Sequence, residues 1–121
     1  MLFKDDQQKA FYNSSVDKTG SHRDRERKAL FYTLGLTAET RENINQLYDF
    51  DENCIKSEGL KKPWQTGTTI RVCRLAFNLY NGTCGQYDES EQTRNYTPYN
   101  LFNCSLAPYM LEAIKILYVY K

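Results

Sequence analysis

The sequence lacks the features that mark membrane, secreted or strongly charged proteins. No stretch approaches the roughly 20 consecutive apolar residues that a membrane span requires, and the chain begins MLFKDD rather than with the apolar run of a secretory signal. Sixteen Lys and Arg balance fifteen Asp and Glu, so there is no one-signed field of the kind that a DNA mimic or a uniformly basic nucleic-acid coat needs. We therefore expect a cytoplasmic protein that does not use a membrane.

Catalytic motifs are missing as well. The only histidine, His22, lies in a charged run with no nucleophile motif beside it, and the sequence has no G-x-S-x-G, H-E-x-x-H or paired-carboxylate pattern. The run DFDEN at 49–53 begins like a calcium loop, but Cys54 stands where the turn needs Gly and Leu60 where the ion needs Glu. We expect a protein that is not an enzyme and has no cofactor.

The four cysteines do not have zinc-site spacing. Cys54, Cys73, Cys84 and Cys104 are separated by 19, 11 and 20 positions, with no Cys-x-x-Cys pair. Structural zinc usually takes its ligands in close pairs, because one short turn can then supply two thiolates. The spacing favours reduced thiols and no metal. The alternative is a site where the cysteines converge with an acidic residue or the histidine.

The sequence does contain enough apolar material for one folded domain. It has 121 residues, of which 40% are hydrophobic, and a chain of this length buries about two-thirds of the surface that its unfolded form exposes. The apolar residues recur mostly at intervals of three and four, which is typical of helices. We predict a mainly α fold: a compact single-domain bundle of about five to six helices over residues 1–121.

Capping residues and glycines indicate where the helices begin and end. The predicted helices are a short one after Asp5 and Asp6 that ends near Ser14, 23–34 ended by Gly35, 38–48 capped by Thr37, 69–81 capped by Thr68 and ended by Gly82, 98–102 after Thr97, and a last one from Ser105 to near Tyr118. Residues 13–21 and 83–96 are predicted loops. The apolar tail 116–120 is predicted to pair as a strand or to cover a partner if it is not helical.

A long irregular loop is predicted over 49–67, because it contains Gly59, Pro63 and Gly67 and has no sustained period. This loop contains four large apolar residues, so we expect it to be ordered. We expect them to cover the helices as a satellite cluster: Phe50, Ile55, Leu60 and Trp64.

Six residues form the predicted contact surface. Arg71, Arg74 and Asn78 share one face of the fourth helix, whose N-terminus with its free amides suits an anion. Lys61 and Lys62 precede Trp64, a combination of charge and aromatic surface that suits phosphates and stacked bases. The alternatives are ordinary capping and solvated charge. The ten tyrosines favour a binding surface, because tyrosine joins an apolar ring to a polar tip.

Seven segments are distinctive: ALFYTLGL (29–36), TRENINQLYDF (40–50), IKSEGL (55–60), WQTGT (64–68), RLAFNLYNG (74–82), TPY (97–99) and APY (107–109). With these segments the chain resembles a family of small uncharacterised proteins from phages and conjugative elements of Gram-positive bacteria. The resemblance covers most of the chain and implies a genomic setting without implying a reaction.

The setting leads to two functional hypotheses. Small proteins of mobile elements often resemble anti-CRISPR proteins, which occupy a surface of a host nuclease, so the first hypothesis is an inhibitor of a bacterial defence effector such as a Cas nuclease. The second is a nucleic-acid-binding accessory protein of the mobile element, whose affinity would fall steeply with salt. A second copy of the chain is a further candidate partner.

Overall fold

A computed structural model describes residues 1–86 and 88–120 of the chain. Within these ranges there are six α-helices, and the only sheet has two short strands, which confirms the mainly α fold with about five to six helices. The elements are α1 (Asp6–Thr19), α2 (Arg25–Leu34), α3 (Ala38–Glu42), β1 (Tyr48–Asp49), β2 (Cys54–Ile55), α4 (Gly67–Asn81), α5 (Pro98–Phe102) and α6 (Ala107–Tyr118).

Helix α2 forms the centre of the core. Its second half, Ala29 to Leu34, is fully buried, and the helix packs against α1, α4 and α6. A helix that is apolar on every side can be stable only when other elements surround it. Its first turn is polar, and Asp24 caps it by accepting a hydrogen bond from the amide of Arg27.

Helix α1 is longer than the sequence predicts. The Asp5 carboxylate caps it, accepting from the Gln8 amide at 2.8 Å, and it runs to Thr19 before a left-handed Gly20. The predicted end near Ser14 and the predicted loop over 13–21 are therefore wrong. Tyr12 and Val16 lie one turn apart and are both buried, so the core-facing stripe continues through a polar-looking segment.

Helix α4 begins at Gly67, two residues before the predicted start at 69. Thr66, rather than Thr68, is the cap: its hydroxyl accepts from the Thr69 amide, and its own amide donates to the Thr69 hydroxyl at 2.7 Å. This reciprocal pair is a capping box. The predicted end at Gly82, in a left-handed conformation, is confirmed.

The third predicted helix is wrong in its second half. Helix α3 ends at Glu42, and a 3-10 turn (Ile44–Gln46) leads into a hairpin in which Tyr48 pairs with Ile55. The Arg27 guanidinium fixes this hairpin by donating to the Tyr48 and Tyr80 hydroxyls and to the Asn53 carbonyl. These long-range hydrogen bonds of Arg27 favour the hairpin over the helix that the spacing of Ile44, Leu47 and Tyr48 predicts.

The satellite cluster in the central segment is confirmed. Leu60 is buried, and Phe50, Ile55 and Trp64 pack against the core from outside. The Trp64 indole donates to the Gln46 side chain at 2.9 Å, so the irregular segment is held by apolar contacts and by a directional hydrogen bond.

The last two helices occur where the sequence predicts them. Helix α5 begins at Pro98, as predicted, and α6 begins at Ala107, two residues after the predicted Ser105, and ends at Tyr118 as predicted. The tail thus continues a helix and does not form a strand in the described residues. In these residues no helix combines the length and apolarity needed to cross a bilayer.

Candidate interaction surface

The predicted face of α4 exists, and the chain itself covers part of it. Arg71 donates to the Asn100 carbonyl at 3.0 Å, and Asn78 donates to the Thr83 carbonyl at 3.0 Å. Arg74 forms a salt bridge with Glu91. Arg74 and Asn78 hold the connection between α4 and α5, defined here as residues 83–86 and 88–97, whereas Arg71 bonds to α5 itself.

The other three predicted residues lie near the central segment. Lys61 pairs with Asp88 at 3.3 Å and lines a cavity of about 490 Å³. Lys62 is half-buried, and Trp64 makes the indole hydrogen bond described above. Five of the six predicted contact residues, all except Lys62, thus form a hydrogen bond or salt bridge within the chain. Their role in binding a partner stays a prediction.

The salt bridge between Arg74 and Glu91 attaches the α4–α5 connection to α4. The two guanidinium contacts to the carboxylate measure 2.9 and 2.8 Å, and the Tyr96 hydroxyl donates to the same group at 2.8 Å. Burial alone would raise the pKa of the Glu91 carboxyl, but the hydrogen bonds and the Arg74 charge outweigh it, so this pKa lies below the ordinary 4.5. Fixed bidentate geometry of this kind makes an ion pair stabilising.

Replacing Glu91 by glutamine is expected to lower the free energy of unfolding by about 1–2 kcal/mol at pH 7, because charge-assisted hydrogen bonds are lost. Since the pKa of this carboxyl is lower in the folded state, its contribution is present above pH 4.5 and is lost as the pH falls through the folded-state pKa. Urea unfolding between pH 7 and pH 3 should therefore show a smaller pH dependence in Glu91→Gln. The exposed Glu89→Gln is the control, and an equal loss in both variants would contradict the assignment.

Between α4, α5 and α6 lies a groove that we call the Tyr118 groove. It consists of two adjoining cavities, of about 190 and 470 Å³, which share Asn78, Leu79 and Tyr118 as lining residues. The smaller cavity is mainly apolar, with Leu101, Phe102 and Ile114 among its walls. Asn78 is the one predicted contact residue that lines this groove.

The outer face of α6 beside the groove exposes large apolar side chains together with Lys115. Leu111, Tyr118 and Val119 are 54%, 72% and 60% exposed. The Leu2 amide and the Tyr120 hydroxyl both donate to the buried Glu112 carboxylate, at 3.2 and 2.6 Å, which holds the N-terminal residues and the tail against α6. Contiguous exposed apolar surface is typical of interaction sites. The sequence signal for it was the apolar tail 116–120.

The cysteines are free thiols in separate environments. Cys73 is buried, which raises the pKa of its thiol to about 12, whereas Cys54 is exposed. Within residues 1–86 and 88–120, no three His, Cys, Asp or Glu side chains are grouped closely enough to hold a metal ion.

The fold and the groove define a small α-helical protein with an apolar face on its last helix. The profile of a family of unknown function, DUF6075, matches residues 1–121, and the chain belongs to that family. No curated protein and no solved structure gives a significant match. The resemblance to an uncharacterised family is confirmed in this form.

Proposed function

We propose that this protein inhibits a bacterial defence effector, a Cas nuclease being the first candidate, by binding to and occupying the effector's surface. The observation that carries the proposal is the Tyr118 groove together with the exposed side chains of α6. A concave site with apolar walls beside projecting Tyr and Leu side chains can bury the anchor residues from which protein interfaces gain most of their affinity.

The geometry favours a protein partner over nucleic acid. Arg74 and Lys61 are paired with the carboxylates of Glu91 and Asp88, which partly neutralise their charge. The Arg71 guanidinium donates to the Asn100 carbonyl, so it too is engaged before any phosphate arrives. The Tyr118 groove offers apolar contacts, which suit apolar side chains of a protein better than the phosphate groups of a nucleic acid.

The genomic setting implied by the resemblance supports the choice of effector. Small proteins of phages and conjugative elements of Gram-positive bacteria work in the bacterial cytoplasm, where defence nucleases attack the same elements. In this proposal the chain acts through contact and performs no reaction of its own.

The proposal is tested with purified Cas nucleases of Gram-positive bacteria. The tagged chain at micromolar concentration is expected to retain at least one of them in a pull-down without nucleic acid and to slow its cleavage of target DNA. Binding that appears only with DNA or RNA and falls steeply with salt would instead support an accessory nucleic-acid-binding protein. Retention of no nuclease, with full cleavage activity, would contradict the proposal.

The surface is tested with the double variant Leu111→Ala/Tyr118→Ala. We expect its Kd for the retained nuclease to rise at least tenfold, because two exposed anchors are truncated, while the thermal unfolding midpoint changes little. The control is Gln7→Ala/Lys9→Ala on the exposed face of α1, which packs on α2. Calorimetry or biolayer interferometry would measure both, and an equal Kd for the two variants would exclude α6 from the interface.

A further inference from the structure

The two cavities of the Tyr118 groove differ in polarity. The larger one, of about 470 Å³, is lined by Glu26, Asn78 and Asn81 together with the rings of Tyr80 and Tyr118. Glu26 is exposed and forms no salt bridge with the described residues. The larger cavity therefore carries a carboxylate that the described part of the chain does not neutralise.

The C-terminal end of α4 adds negative partial charge to the same cavity. Gly82 closes the helix by donating its amide to the Asn78 carbonyl at 2.8 Å. The next three carbonyls, of Leu79, Tyr80 and Asn81, accept no hydrogen bond from the described residues, and these three residues line the cavity. A helix C-terminus with free carbonyls attracts cations.

The guanidinium of Arg27, in α2, lies 5.3 Å from the centroid of the Tyr80 ring, near this end of α4. It is bonded to the Asp24 carboxylate at 2.7 Å. The last turn of α4 contains no basic residue, and no Lys or Arg of the described residues lines the larger cavity. Lys115, on the outer face of α6, lies 4.0 Å from Glu112.

The aromatic rings suit the same occupant. Tyr80 and Tyr118 line the cavity, and an aromatic ring attracts a guanidinium or ammonium group, as the Tyr80 ring already attracts Arg27 at 5.3 Å. The Glu26 carboxylate, the free carbonyls and Tyr118 together favour a positively charged side chain. The adjoining smaller cavity, with its apolar walls, favours an aliphatic or aromatic side chain.

We propose that the Tyr118 groove binds a protein segment that places an apolar side chain in the smaller cavity and an arginine or lysine side chain in the larger one. This inference rests on the proposal that the groove is the binding surface, and it adds the chemistry of the partner.

The test is the selection of a random peptide display library on the immobilised full-length chain. The wild type is expected to enrich peptides with Arg or Lys within four residues of a large apolar side chain. The Glu26→Lys variant should lose the basic preference, and the best wild-type peptide should bind it at least tenfold more weakly. The matched control is Glu39→Lys, the same change on an exposed carboxylate of α3 that lines neither cavity. Circular dichroism confirms that each variant is folded.

Two further measurements separate this inference from the proposed function. Replacing the basic residue of the selected peptide by glutamine should weaken binding to the wild-type chain as much as Glu26→Lys does. The Tyr118→Ala variant of the chain should bind both the selected peptide and its glutamine form more weakly. Peptides without a basic residue, or equal binding to wild type and Glu26→Lys, would overturn the inference while leaving surface inhibition open to its own assay. A basic motif without inhibition of any defence nuclease would overturn the proposed function alone.

Discussion

Replacing Phe31 by alanine is expected to lower the free energy of unfolding by about 4 kcal/mol, the range typical of a fully buried aromatic side chain in a core. Phe31 has no exposed surface, and its ring lies parallel to that of Phe50, with ring centroids 6.1 Å apart. It also meets the Tyr48 ring edge-on at 5.1 Å. Truncation would leave a cavity between α2 and the hairpin, because the Arg27 hydrogen bonds prevent the hairpin from collapsing into it.

Urea unfolding followed by circular dichroism would measure the effect of Phe31→Ala. Phe11→Ala provides the control, since Phe11 is only half-buried and should lose roughly half as much free energy, in line with its smaller buried area. A loss below about 2 kcal/mol at position 31 would mean that α2 and the hairpin are not packed as described.

The second large effect is expected at Gly59, where alanine should cost about 3 kcal/mol. A Cβ atom at this position would lie 2.5 Å from the Gln46 carbonyl oxygen and 2.6 Å from a methyl group of Leu47. The obstacle is backbone, so the 3-10 helix that contains Gly59 (Ser57–Lys61) would have to move away from the Ile44–Gln46 turn. That movement would also disturb the Gln65 side chain, which donates to the Gly59 carbonyl at 3.0 Å.

Gly82→Ala is the matched control for this prediction. Gly82 has a left-handed backbone with nothing within 4 Å of the added carbon, so alanine there costs only the conformational strain of about 1 kcal/mol. Thermal or urea unfolding of the two variants should therefore rank Gly59→Ala as clearly less stable. If both lost the same free energy, the close approach at Gly59 would be disproved.

The sequence predicts the helices whose pattern is set locally. The stripe of α4, its end at Gly82 and the start of α5 at Pro98 all depend on residues within one turn of each other. The end of α1 and the hairpin could not be predicted in this way, because burial of Val16 and the Arg27 hydrogen bonds are long-range contacts.

In the candidate site, too, the features set by local sequence were predicted and those set by long-range contacts were not. Helical spacing correctly placed Arg71, Arg74 and Asn78 on one face, but no local pattern indicated that the α4–α5 connection returns to bond with it through Glu91. The larger cavity was missed because Glu26 precedes Tyr118 by most of the chain, and only the packing of α2 against α6 brings them to one surface.

The burial of α2 also determines how the molecule can fluctuate. The peptide hydrogens of Ala29 to Leu34 are screened by three helices, so they can exchange with solvent deuterium only when the whole core separates. The α4–α5 connection is held by individual side-chain bonds, and its amides can exchange through small local openings. Hydrogen–deuterium exchange should therefore be fast in the connection beside the Tyr118 groove while the amides of the central helix stay protected.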